Sequence, residues 1–372
     1  MVDLRSQYLR IKREIDDAIQ QVLTSTAFIQ GKEVGEFAKG LQKYLEAPHV
    51  IPCANGTDAL QIAMMALDLK PGGEVIVPVH TYVATAEVIG LLGLTPVFID
   101  VNWNTFNIDI AQLEKKITSK TVAIVPVHLY GQCADMEPLL AIASEYSLHV
   151  IEDAAQSLGA EYTFSDGRKK KAGTMGIIGT TSFFPSKNLG CYGDGGAIFA
   201  NDASLAEKIR MIANHGQKVK YHHDIIGVNS RLDTLQAAIL NVKLKYIDEY
   251  TKSRNDVASA YDKAFEGFDG IEIPKRSSNS THVFHQYTLK IGGGRRHAFK
   301  EHLSKNGIPS MIYYPVPLHL QNAYLQPGVG VGAFPVTEQL SKSVISLPIH
   351  TEMTSEQLEF IIETSKGFFI RE

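Results

Sequence analysis

Cysteine is scarce in this chain: three among 372 residues, at Cys53, Cys133 and Cys191, with no CxxC pair. An odd number without paired spacing excludes a disulfide framework, supplies no zinc-ligand set and fits a reducing compartment. An excess of one charge is missing too. Against 40 Asp and Glu stand 36 Lys and Arg, a net charge of −4 with both signs spread along the chain. The basic footprint of a nucleic-acid binder is therefore absent. The longest apolar run, near residues 88–99, is too short to span a bilayer, so no membrane insertion is expected. Residues 1–22 alternate charged and apolar types and lack the apolar core of a signal peptide. No GxGxxG follows the first strand-like run, which removes the usual sequence support for a nicotinamide enzyme. The expectation is a cytoplasmic globular protein. Hydrophobic residues make up 44% of this length, enough for a large core and more than one domain.

What is present is alternation. Two amphipathic helical patterns, at 6–23 and 32–45, open the chain. From about 49 to 200, short β-rich runs at 49–53, 74–77, 96–100, 121–127 and 148–152 alternate with helical periodicity at 56–69, 81–92 and 136–146. Such alternation implies βαβ crossovers and an α/β fold with a mostly parallel sheet covered on both faces. A long helical pattern from 230 to about 265 leads onward, followed by a strand-like run at 285–291 and helices near 297–306 and 355–368. We expect a large α/β domain over 1–245 and a smaller α+β domain over 246–372.

In an open parallel sheet, ligands bind beyond the carboxyl ends of the strands. Four motifs fall there. Gly56 and Thr57 open a helix after the first strand, where exposed amides attract anions and a glycine lets backbone approach; an ordinary N-cap by Asn55 or Thr57 is the plain alternative. Asp153 ends another strand before small residues, where an acid can hold a protonated pyridine nitrogen, or simply cap the next helix. Glu152 points the other way, because side chains alternate along a strand. Gln156, three residues on from Asp153, is within reach of a ring hydroxyl. Tyr82 follows a third strand and can stack on a ring or belong to the core.

The fourth motif is Ser182-Phe183-Phe184-Pro185-Ser186-Lys187-Asn188-Leu189-Gly190. Apolar neighbours strip solvent from a lysine, lower its pKa and free its amine to form a Schiff base with a carbonyl. That chemistry suits pyridoxal phosphate, which needs a lysine anchor, a carboxylate at its ring nitrogen and donors for its phosphate. Ser182 adds a hydroxyl for that phosphate.

The ordered motifs Gly56-Thr57-Asp58-Ala59-Leu60, Thr81-Tyr82-Val83-Ala84-Thr85, Glu152-Asp153-Ala154-Ala155-Gln156, the Lys187 loop, Gly227-Val228-Asn229-Ser230-Arg231-Leu232 and Tyr314-Pro315-Val316-Pro317-Leu318-His319 resemble the DegT-type nucleotide-sugar aminotransferases. The resemblance spans nearly the whole chain and implies a fold-type I pyridoxal phosphate enzyme. It implies catalytic roles for Lys187, the Schiff-base lysine and proton shuttle, and for Asp153 at the pyridine nitrogen. It also implies Gln156 at the ring hydroxyl, Tyr82 stacked on the ring, and Gly56, Thr57 and Ser182 at the phosphate. Asn229 would join them from a neighbouring subunit, making a homodimer part of the site. Arg231 is a candidate for the sugar or its acidic group, because a guanidinium forks onto carboxylate or phosphate; capping or bridging the following helix is the alternative.

Within that family the chain looks most like enzymes that move an amino group from glutamate to C3 of UDP-2-acetamido-3-keto-glucuronate, for surface polysaccharides such as O-antigen and lipopolysaccharide. The pair Tyr313-Tyr314 stands where related enzymes often have His-Tyr, so these two tyrosines are expected at the sugar. A dTDP-3-keto-6-deoxyhexose is the alternative substrate. A sugar dehydratase on the same scaffold would often lack the lysine, and a non-catalytic regulator would carry an added DNA-binding segment. Lys169-Lys170-Lys171 reads as a solvated hairpin tip, Gly292-Gly293-Gly294 as a strand–helix turn, and His222-His223 as no metal site, since adjacent side chains point apart.

Overall fold

Short β-branched runs, each followed by small residues, set the architecture. The computed structural model describes residues 1–370. In chain order the strands begin β1 (His49–Cys53), β2 (Glu74–Pro78), β3 (Thr95–Ile99), β4 (Thr121–Ile124) and β5 (His149–Asp153). A hairpin, β6 (Glu161–Thr163) and β7 (Lys169–Lys171), precedes β8 (Ile178–Ser182) and β9 (Gly196–Ala200). A second hairpin, β10 (Gln217–Val219) and β11 (His222–His223), is followed by β12 (Ile271–Glu272), β13 (Tyr287–Ile291) and β14 (Val344–Leu347).

Seven strands form one sheet in the order β1-β9-β8-β5-β4-β2-β3. β8, β5, β4, β2 and β3 are mutually parallel, and β9 lies antiparallel between β1 and β8. Alternation along β2 shows why both faces are covered. Val75 and Val77 enter a core with the helices Gly56–Ala66, Ala84–Leu91 and Ala203–Ala213, while Ile76 enters the opposite core with the helix Met136–Glu145. The carboxyl ends of β1, β2, β5 and β8 consequently share one edge, and that is where the four motifs lie. This is the fold-type I arrangement.

A second, antiparallel sheet has the order β12-β13-β14. Its core joins Tyr261 and Phe265 of the helix Ile247–Phe265, Phe299 of Arg296–Lys305 and Ile361 of Ser355–Ile370 with Tyr287, Leu289, Ile345 and Leu347. Leu318 and Phe334 return to the core of the first sheet.

Three expectations change in detail. The pattern at 230–265 is two helices, Thr234–Leu244 and Ile247–Phe265. At the break, Lys245 and Tyr246 donate to carbonyls three residues back, and both side chains reach Glu14 of the helix Lys12–Ser25. The pattern at 6–23 divides at the buried Ile11 into Leu4–Arg10 and Lys12–Ser25. Lys169–Lys171 is a paired strand, with Lys169 3.0 Å from Glu161, and the hairpin tip is Asp166-Gly167, where Gly167 takes φ +85°. No helix of the described residues is long and apolar enough to cross a membrane.

Close packing near the start of β8 makes one glycine decisive. A β-carbon on Gly179 would fall on the Gly173 carbonyl, so Gly179→Ala should destabilise the protein by about 2–3 kcal/mol in urea unfolding. Gly35→Ala, in the helix Lys32–Leu45 with nothing within 4 Å, should instead add up to about 1 kcal/mol.

Candidate active site

The strand ends enclose a cavity of about 620 Å³ lined by Gly56, Thr57, Tyr82, Asp153, Gln156, Ser182, Lys187, Tyr313 and Tyr314, among others. One end is built by the turn from β1 into the helix Gly56–Ala66. Asn55 caps that helix, its Oδ1 accepting from the Asp58 amide at 2.8 Å. The capping reading thus holds for Asn55, yet it leaves first-turn amides without intrahelical acceptors. Gly56 is there for closeness: a β-carbon on it would lie 2.7 Å from the Ser182 β-carbon. Helix start and β8 end therefore form one polar cradle, with the Thr57 and Ser182 side chains beside those amides, suited to an anion.

Lys187 sits in a loop closed at its base. Cys191 N donates to Phe183 O at 2.8 Å, Phe183 N to Gly195 O at 2.7 Å, and Lys187 N to Phe184 O at 2.8 Å. Lys187 is half-buried at the cavity wall, and its pKa is pushed down to about 8 by desolvation, with the Asp153 carboxylate pulling the other way. Asp153 is buried at the end of β5. Its Oδ2 accepts from the Thr85 hydroxyl at 2.8 Å and its Oδ1 from the Ala155 amide at 3.1 Å. Asp153 is a fixed acceptor at the cavity wall as well as a cap for its own turn.

Gln156 is held from both ends. Its Oε1 accepts from the Tyr130 amide at 2.8 Å, and its Nε2 donates to the Tyr314 hydroxyl at 3.2 Å. Tyr82 is 58% exposed, with its ring centroid 6.3 Å from that of Tyr314, so its face is free to take a planar ligand. The Tyr130 hydroxyl donates to the Tyr313 carbonyl and lies 3.1 Å from His80 Nε2. Burial drives the His80 pKa down to about 4 against the pull of Asp100, so this imidazole is neutral. Burial raises the hydroxyl pKa of Tyr313 and that of Tyr314.

Sequence reasoning missed Thr85, Tyr130, His80, His285 and Gln286. Thr85 lay inside a motif already singled out. His285 and Gln286 line the cavity from the approach to β13, about a hundred residues from Lys187, and no local spacing announces that. Burial, together with the cations of Lys187 and Arg254, holds His285 well below the ordinary histidine range.

Two expected residues lie outside this cavity in the single chain. Asn229 is exposed, bridged to Asn214. Arg231 lines a separate cavity of about 540 Å³ with Glu207, Arg210 and Lys218. Among the described residues, the charged groups lining the main cavity are Asp153, Lys187 and Asp194.

The lysine's environment sets a measurable expectation. In competitive acylation read by mass spectrometry on cofactor-free protein, Lys187 should titrate with a midpoint of about 8, well below the usual lysine value of 10.5. Asp153→Asn removes the carboxylate that raises the Lys187 pKa, so the midpoint should fall further.

Comparison with known proteins agrees with this geometry. The DegT/DnrJ/EryC1/StrS aminotransferase family matches residues 9–366. A Pseudomonas aeruginosa protein named UDP-2-acetamido-2-deoxy-3-oxo-D-glucuronate aminotransferase is 47% identical over 97% of each chain. A Geobacillus stearothermophilus protein named pleiotropic regulatory protein is 45% identical over 99% of this chain and 98% of its own. Among solved structures, S. venezuelae DesV in complex with a ketimine intermediate aligns with TM-score 0.94 at 38% identity, covering 99% of this chain and 97% of that one. With a family match over nearly the whole length, and relatives well above 30% identity across it, the chain belongs to the DegT/DnrJ/EryC1/StrS aminotransferase family.

Proposed function

We propose that the protein moves an amino group from glutamate to a keto nucleotide sugar with pyridoxal phosphate as cofactor, and that the sugar is UDP-2-acetamido-2-deoxy-3-keto-glucuronate, aminated at C3. The observation that carries this reading is Lys187, with its lowered pKa, sharing one cavity with the fixed Asp153 carboxylate. The donor set fits the cofactor. The Gly56–Ser182 cradle, too close for a β-carbon, suits a phosphate, and Thr57 and Ser182 supply hydroxyls.

When bound, pyridoxal phosphate supplies the carbonyl and the electron sink through which an amino group is exchanged. This chain's residues do the rest. Lys187 would anchor the cofactor's carbonyl carbon and, with a pKa lowered to about 8, could take and return a proton at Nζ. Asp153, oriented by Thr85 and the Ala155 amide, would hold the ring nitrogen in its protonated form. Gln156 would hold the ring hydroxyl, and Tyr82 would cover the ring.

Asn229, exposed outside its own cavity, would complete the phosphate site of a second copy in a homodimer, and Arg231, two residues on, would meet the sugar acid there. Tyr313 and Tyr314 face the sugar with hydroxyls that burial keeps protonated. The amino sugar would serve surface polysaccharide assembly, in a cytoplasmic setting. A non-catalytic regulator is the second reading, favoured by the name of the Geobacillus relative.

Purified protein loaded with the cofactor should be yellow and should bleach on addition of glutamate; an unchanged spectrum favours the regulator. With glutamate and the UDP-3-keto sugar acid it should yield the amino sugar and 2-oxoglutarate. Faster turnover of a dTDP-3-keto-6-deoxyhexose would sink the uronate assignment. Lys187→Ala should retain cofactor yet lose roughly a thousandfold or more in turnover, and appreciable residual transfer would remove Lys187 from its role.

A further inference from the structure

Two buried cations beside the Lys187 loop have no carboxylate partner among the described residues. Lys243, on the helix Thr234–Leu244, is 1% exposed, and Arg254, on the helix Ile247–Phe265, is 4% exposed. Lys243 Nζ donates to the Gly190 carbonyl at 2.5 Å and sits 5.3 Å from the centre of the Tyr192 ring. Arg254 Nη1 donates to the carbonyls of Phe284 at 3.0 Å, His285 at 3.5 Å and Ile349 at 3.2 Å, and its Nε is buried without a partner.

Both cations end on backbone that walls Lys187. Gly190 is three residues beyond it in the same loop, and a β-carbon there would run into the Pro185 carbonyl. His285 lines the same cavity as Lys187. The two walls are joined by Asn188, whose Nδ2 donates to the Val283 carbonyl at 2.8 Å. Burying a charge without a counter-ion costs several kcal/mol, and an apolar side chain of similar length would fill either space without that penalty. A buried cation kept on each wall is thus more than packing requires.

We infer that Lys243 is a positioning residue for Lys187: its ammonium, through the Gly190 carbonyl, holds the loop so that the amine faces the cavity, while Arg254 holds the opposite wall through Phe284 and His285. The inference rests on the reading of Lys187 as the cofactor anchor. Burial lowers the Lys243 pKa to about 8, with Arg254 pushing the same way and Cys191 opposing.

The test compares wild type, Lys243→Met and Lys243→Arg as full-length protein loaded with pyridoxal phosphate. Borohydride trapping at Lys187 is read by mass spectrometry and the glutamate half-reaction by stopped flow. Lys243→Met should be folded and cofactor-loaded, with trapping reduced several-fold. Its half-reaction should slow roughly tenfold without a change in the glutamate concentration that saturates it. Lys243→Arg should restore both. A folded Lys243→Met with wild-type trapping and half-reaction overturns the inference. Should that variant not fold, Lys243→Gln is held to the same trapping and half-reaction limits. Wild type that is not trapped at Lys187 instead overturns the anchor reading itself, and the inference with it.

Discussion

A lysine can attack a carbonyl only after losing its proton, and in water it holds that proton far above neutral pH. In its proposed role Lys187 meets this constraint by partial desolvation, opposed by the Asp153 carboxylate. Burial alone favours the neutral amine, whereas Asp153 favours the charged one, and the balance near 8 keeps both forms within reach. The rest of the site depends on that balance. Deeper burial would lower the pKa further, and a carboxylate closer to the amine would raise it.

Strand alternation lets two adjacent acids serve two purposes. Asp153 faces the cavity, while Glu152 faces the opposite core, fully buried. Glu152 accepts from the amides of Gly173 at 2.8 Å, Met175 at 2.6 Å and Gly176 at 2.5 Å, and lies 2.8 Å from His128 Nε2. His128 Nδ1 in turn accepts from the Ala134 amide at 3.0 Å, so Nε2 carries the proton that Glu152 receives. One side of β5 thereby pins the loop leading into β8, and the other presents the acceptor to the site. The same rigidity reaches the far wall through Tyr130, whose amide holds Gln156 and whose hydroxyl holds the Tyr313 carbonyl.

The substrate side of the cavity is neutral. Tyr313, Gln286 and His285 offer hydrogen bonds without charge, and among the described residues Lys187 is the cation lining the cavity. An anionic group beyond the cofactor's phosphate would find its partner elsewhere. The segment carrying the exposed Asn229 and the half-buried Arg231 is chemically suited to provide one.

Local patterning determined the helices and strands, the mostly parallel sheet and the four strand-end motifs, because two- and 3.6-residue periodicities and small-residue turns are properties of neighbouring residues. Hence Gly56, Asp153, Ser182 and Lys187 were legible, and they do line one cavity. Tertiary structure alone decided what surrounds them. Lys243 reaches the Lys187 loop, His285 and Gln286 reach its cavity from segments about 55 to 100 residues away, and Thr85 reaches Asp153 across 68 residues. The break at Lys245 and Tyr246 was likewise set by Glu14, 231 residues distant along the chain from Lys245. Such contacts follow from how helices settle on a finished sheet, and desolvation, which lowers the pKa of Lys187, exists only once those segments have closed around it.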